Sequence, residues 1–332
     1  MHDRLAKAQS VREVAQAAAD FYVFDGGDDS CVVAVARGES GEPVFGCAGG
    51  ADERSLYRIA SLSKIFLYPV LLHLHADGRL DLDSPVTAYS KLDLPPECTR
   101  MTLRDLLENR SGLPREFLTP WNPVDMFTAF HCGFVGSHIY ADFDDREGFV
   151  REMWRPWWRA AMRKGGNVYS NMGFGLLGMA VEDALGRDLE TILHDELTGP
   201  RHFADTTYFP HGDQTNRITR ACAGHLPWFV RRHHEVPDHR LGEALRATGG
   251  LFSSAADCLK FFRSCWPLVD AFIKDRPLEF YSDEADYGFL LHSPALSESR
   301  DRHGGAAEVS DGERKAHLFL CLFPQHRGDP AL

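Results

Sequence analysis

Long apolar runs are missing from this sequence. No stretch approaches the roughly 20 apolar residues that a bilayer-spanning helix requires, so no membrane-spanning helix is expected. Positive charge is in deficit as well: 36 Lys and Arg stand against 48 Asp and Glu, for a formal net charge of -12. That balance argues against nucleic acid or an anionic membrane as the main partner. The eight cysteines include no Cys-x-x-Cys pair and read as reduced core residues. His225, His233, His234 and His239 cluster without a recognisable metal spacing. The first twenty residues are polar and amphipathic, with no apolar core or cleavage site of a signal peptide, so a cytoplasmic location is expected.

What is present is an ordinary globular composition, 44% hydrophobic and 25% charged over 332 residues, enough for one large domain or two intimate ones. Apolar residues at helical spacing (Leu5, Val11, Val14, Ala18, Phe21) predict an amphipathic N-terminal helix. Residues 31–36 and 43–46 read as paired strands. A long helix is expected from Ser61 to a C-cap at Gly78, kinked at Pro69. Thr102 opens a helix that reaches Asn109. Residues 116–162 look irregular and rich in aromatics; Trp154, Trp157 and Trp158 suggest core packing, or else the lining of an apolar pocket. A strong helix ends at Gly186, another spans 189–197, and residues 200–245 read mostly as loop. Ser253 or Ser254 caps a helix over 255–265. Strands are expected over 287–291, 304–310 and 317–323.

Strands therefore lie at both ends of the chain and helices fill the middle. This pattern predicts an α+β fold, an antiparallel sheet flanked by helices with a helical domain inserted. Residues 1–100 together with 249–332 would form the sheet domain and 101–248 the helical one, with a site in the cleft between them.

Ser61-Leu-Ser-Lys64 is the first stretch that suggests chemistry. Residues three apart on a helix share a face. A serine hydroxyl is a weak nucleophile until a neighbouring base takes its proton, and an amine can do so if its surroundings lower its pKa. A helix N-terminus also favours developing negative charge. Taken alone, the same four residues are better read as a capping serine followed by a solvated lysine.

Two further elements follow in order: Tyr169-Ser-Asn171 and His303-Gly-Gly305. With Ser61-x-x-Lys64 they resemble the signature of the serine β-lactamase and penicillin-binding-protein superfamily. The branch most similar to this chain holds class C β-lactamases, DD-peptidases and family VIII esterases. Residues 57–64, 78–85, 101–114 and 249–257 resemble that branch too, and the likeness runs from about residue 30 to about 323. It implies a β-lactamase/transpeptidase-like fold and an acyl-enzyme mechanism. By this resemblance Ser61 is the acylated nucleophile and Lys64 shares its proton. Tyr169 is the general base and then the acid, and Asn171 orients Lys64 and the substrate. His303 supports Tyr169, Gly304 and Gly305 let substrate lie along the strand edge, and the Ala306 N–H joins that of Ser61 in the oxyanion hole.

The chain departs from the pattern in its triplet. Relatives commonly carry Lys-Thr-Gly, whose lysine and hydroxyl meet the carboxylate of a β-lactam; His303-Gly-Gly305 lacks both. This shifts the expectation toward small carboxylic esters. A β-lactamase or DD-peptidase, an acyltransferase or amide hydrolase of secondary metabolism, and a non-catalytic binding protein on the same fold are the alternatives. No Glu-x-x-x-Asn element stands near Tyr169 to activate water as in class A enzymes. A small-molecule ester or amide is the expected partner, with no metal or organic cofactor. Residues 324–332 cannot form the long C-terminal helix usual in relatives, so an uncovered sheet face is a candidate homodimer surface.

Overall fold

A computed structural model describes residues 10–24, 30–37, 41–59, 61–114, 145–164, 168–219, 242–265, 267–269 and 317–322. The chain opens with helix α1 (Val11–Phe24), followed by strands β1 (Cys31–Arg37), β2 (Val44–Ala48) and β3 (Tyr57–Arg58). Helix α2 (Leu62–Ala76) carries the candidate nucleophile at its start. Helices α3 (Leu103–Leu107), α4 (Arg146–Met153), α5 (Pro156–Lys164), α6 (Asn171–Leu185) and α7 (Leu189–Leu193) follow. The short helix α8 (Arg246–Gly249), strand β4 (Phe252–Ser253), helix α9 (Ala255–Ser264) and strand β5 (His317–Leu322) complete the order.

The main sheet is antiparallel in the order β2-β1-β5, with Val32 opposite Cys47 on one side and Leu322 on the other. Strands from the two ends of the chain thus pair, as the sequence pattern predicts. Helix α1 covers one face of the sheet, where Ala15 and Ala19 pack on Cys31, Val33 and Val35. The approach is close enough that a Cβ on Gly46 would fall 2.1 Å from the Ala15 carbonyl oxygen, so only glycine fits there. The Gln16 amide pairs with both backbone groups of Cys47 and so occupies part of the edge that β2 would otherwise expose.

Val32 and Ala34 face the other way, into a larger core built around α2 and α6. Helix α2 is apolar nearly all round, with ten buried residues between Ser63 and Leu74, as expected of a helix at the centre of a protein. Pro69 is one of them, and α2 continues through it as a single element. The helix is capped at Asp77, one residue before the expected Gly78, which follows in the left-handed region at φ 68°. A reciprocal Thr102–Asp105 capping box opens α3.

The expectation for residues 116–162 needs correction in its last part, because α4 and most of α5 lie there. Asp145 caps α4 through the Gly148 N–H, a start signal the sequence reading passed over. Trp158 is buried, as core packing expects, whereas Trp154 is exposed and donates to the Asp93 carbonyl at 2.7 Å. Residues 194–197, expected to continue that helix, belong instead to a turn of π-helix (His194–Thr198) after α7. The strands expected over 287–291 and 304–310 lie outside the described residues. No described helix is long and apolar enough to cross a membrane.

Candidate active site

Ser61 precedes α2 with backbone angles of -63° and -13°, and its side chain makes no capping bond. The hydroxyl is therefore available to other groups. Its turn is fixed by the strand segment that precedes α9. The Ile59 N–H donates to the Leu251 carbonyl at 3.0 Å, and the Leu251 N–H donates to the Ser63 hydroxyl at 3.1 Å. Pairing of β3 with β4 continues this attachment.

Lys64 is 0% exposed, which rules out a solvated lysine one turn along the helix. Its Nζ lies 3.2 Å from Ser61 Oγ, 2.6 Å from Asn171 Oδ1 and 2.5 Å from the Thr248 carbonyl oxygen. Three oxygens around one nitrogen suit the three donors of an ammonium. The same nitrogen stands 4.9 Å from the centre of the Tyr169 ring and 5.5 Å from that of Phe174. A cation over two ring faces gains from their quadrupoles, most where water is excluded.

Tyr169 reaches the cluster from the segment before α6. Its hydroxyl donates to Ser61 Oγ at 2.6 Å. Ser170 caps α6 by accepting from the Gly173 N–H at 2.8 Å, so Asn171 is not the cap and its side chain is used on Lys64 instead. Ser61, Tyr169 and Asn171 are half-buried while Lys64 is sealed beneath them, so the hydroxyl is open to a reactant and the amine is not.

Thr248 is brought in by close helix packing. A Cβ on Gly175 would lie 2.5 Å from the Ala244 carbonyl oxygen, and one on Gly178 would lie 2.6 Å from the Ala247 Cβ. Glycines one turn apart on α6 thus let α8 press against it and present the Thr248 carbonyl to Lys64. Sequence reasoning missed this acceptor, since a backbone carbonyl leaves no side-chain pattern. It also gave no role to Asn109, although the 101–114 stretch contains it.

The structure thus brings together Ser61, Lys64, Tyr169 and Asn171. His303, Gly304, Gly305 and Ala306 lie outside the described residues. Among the described residues, His75, Asp81 and Asp83 place potential metal-binding atoms within 4.8 Å of one another. Arg104 already pairs with Asp83 through two bonds of 2.6 and 3.0 Å, and Ser84 donates to Asp81, so we assign no metal there.

The model of the Beta-lactamase family matches residues 23–307. A Dichelobacter nodosus protein described as a fimbrial assembly protein, FimD of serogroup D, is 26% identical over 261 residues, covering 71% of this chain and 56% of its own length. The D-alanyl-D-alanine-carboxypeptidase/endopeptidase AmpH of Escherichia coli K12 is 26% identical over 219 residues, with coverage of 63% and 48%. The chain therefore spans about half the length of the curated relatives it matches. A D-stereospecific amidohydrolase from Streptomyces sp. superimposes with a TM-score of 0.57 at 23% identity, covering 86% of this chain and 79% of the other. That likeness shows the fold: α+β, of the β-lactamase/transpeptidase type.

Proposed function

The chain belongs to the beta-lactamase family, and we propose that it is a serine hydrolase working through an acyl-enzyme on Ser61, with small carboxylic esters as substrates. The observation that carries this reading is the placement of two proton-handling groups on one hydroxyl, Tyr169 Oη at 2.6 Å and Lys64 Nζ at 3.2 Å from Ser61 Oγ.

In the proposed reaction Tyr169 first gives its phenolic proton to solvent; Ser61 Oγ then attacks the ester carbonyl carbon, and its proton passes to the phenolate. The Lys64 ammonium, 4.9 Å from the ring centre, favours that phenolate. The tetrahedral oxyanion is held by backbone N–H groups, for which Ser61 and Ala306 are the candidates. The carbon–oxygen bond to the alcohol breaks, and Tyr169 returns the proton to the departing oxygen. Water then attacks the acyl carbon and gives a proton to Tyr169. The ester bond to Ser61 breaks, Oγ regains its proton, and a carboxylic acid leaves. No metal or organic cofactor enters these steps.

Esters are preferred to β-lactams because the triplet is His303-Gly-Gly305, without the lysine and hydroxyl that meet a β-lactam carboxylate. Amide hydrolysis is the second reading, favoured by the peptidase among the curated relatives. Intact-mass measurement after exposure to p-nitrophenyl esters, peptides ending in D-alanyl-D-alanine and nitrocefin separates these readings. An acyl adduct on Ser61 from the esters, with faster turnover of esters than of nitrocefin, is the expected result. Full ester turnover by Ser61→Ala would refute it.

A further inference from the structure

Residues 168–170, which carry Tyr169, form neither helix nor strand. They are held by one residue from another element. The Asn109 carbonyl oxygen accepts from the Val168 N–H at 3.0 Å, and Asn109 Oδ1 accepts from the Ser170 N–H at 3.0 Å. The two bonds fall on either side of Tyr169.

Asn109 suits this task in two respects. It lies in the left-handed region at φ 56°, which asparagine tolerates better than most residues with a side chain. It is also 5% exposed, with Nδ2 buried and unpartnered. A buried donor without a partner is unfavourable. The use of the amide here is therefore its oxygen, which meets Ser170.

The other end of this brace returns to the nucleophile helix. Tyr68 lies one turn after Lys64 on α2, and its buried hydroxyl donates to the Leu107 carbonyl at 2.8 Å. Leu107 ends α3, two residues before Asn109. A continuous path thus leads from α2 through Tyr68, Leu107 and Asn109 to Tyr169, and closes on Ser61.

We infer that Asn109 is a positioning residue: it fixes the backbone on both sides of Tyr169 and so sets the reach of the phenol to Ser61, while Tyr68 ties Asn109 to the helix that carries the nucleophile. The catalytic consequence rests on the function proposed above; the geometric role does not.

Asn109→Gly tests the inference. Glycine keeps the left-handed backbone, and with it the carbonyl bond to Val168, while deleting the acceptor for Ser170. Asn109→Asp restores an acceptor at the same place. In the full chain, amide hydrogen exchange of peptides covering residues 168–170 should become roughly tenfold faster in Asn109→Gly. Protection should return in Asn109→Asp. With p-nitrophenyl esters, kcat of Asn109→Gly should fall about 10- to 100-fold with KM little changed, as expected for a misplaced proton-transfer group. If that variant does not fold, Tyr68→Phe, which removes one hydroxyl, should loosen the same peptides. A folded Asn109→Gly with wild-type exchange would overturn the inference, as would faster exchange that aspartate fails to reverse. Absence of Ser61-dependent ester turnover in the wild type would instead defeat the functional proposal, leaving the exchange comparison to decide the positioning role.

Discussion

The hydroxyl of Tyr169 lies 2.6 Å from Oγ of Ser61, although 108 positions separate the two residues along the chain. Lys64 is buried beside this half-buried pair, and the three side chains form a short proton path. Most of what can be tested follows from that arrangement.

Removal of the phenol oxygen should leave binding intact and slow acylation. Tyr169→Phe keeps the ring over Lys64 but has no group to exchange a proton with Ser61. Its kcat on p-nitrophenyl esters is expected to fall on the order of 10²- to 10⁴-fold, the usual contribution of a general acid–base group. Stopped-flow measurement of the acylation phase provides the check. A fall of less than threefold would remove Tyr169 from the mechanism.

Replacing Lys64 by methionine retains the volume of the side chain and discards the charge. The buried Thr248 carbonyl then loses its Lys64 donor, at a cost of about 1–3 kcal/mol. Relief from burying an amine offsets part of that, so the variant should fold. Ester turnover should nevertheless be nearly abolished. Near-ultraviolet circular dichroism and kcat together distinguish a folded inactive protein from an unfolded one.

The glycines of α6 predict a contrast. In Gly175→Ala the new methyl group meets the Ala244 carbonyl at 2.5 Å, so α8 must move and carry Thr248 with it. We expect a loss of about 1–3 kcal/mol in stability, as in other overpacked interiors, together with lower kcat. Gly186→Ala, at φ 64° with open space around it, should cost about 1 kcal/mol through backbone strain and leave kcat unchanged. Urea denaturation and steady-state kinetics on both variants test the difference.

Asp205 gives a pH dependence remote from the nucleophile. Burial alone would raise its pKa, but bonds from Arg54 at 2.9 and 3.0 Å and from Arg217 at 2.7 Å outweigh this and hold the carboxyl below its ordinary 3.8. A carboxyl depressed on folding adds stability above its unfolded pKa and gives it up as pH falls through the folded value. Asp205→Asn should therefore be less stable than wild type at pH 7, and the gap should close below pH 3.8. An equal gap at both pH values, by urea denaturation, would mean that the ion pairs do not contribute in this way.

Several features were legible along the chain because they depend on neighbours in sequence. The Thr102 and Ser254 caps and the turn at Gly186 are set by local hydrogen bonding and backbone preference. Helices α4 and α5 were hidden because α4 offers only Phe149, Val150 and Met153 as large apolar residues, too few to mark a 3.6-residue period, and α5 begins on adjacent tryptophans. Asn109 and Thr248 were missed for another reason. Thr248 acts through a backbone carbonyl, which marks no side-chain pattern, and Asn109 acts through its carbonyl and Oδ1 on a segment about 60 positions away, a contact that no local spacing announces.

The sequence by itself determined the order Ser61, Lys64, Tyr169, Asn171, the side-chain chemistry of each, and the pairing of strands from both ends of the chain. Only the tertiary structure decided that Lys64 is buried rather than solvated, that Asn171 turns to Lys64 while Ser170 caps α6, and that a carbonyl near Gly249 completes the amine's surroundings. Residue type and local period are properties of the chain. Desolvation and hydrogen-bond distance depend on which distant segments pack together, and here that packing is set by glycines that let two helices approach.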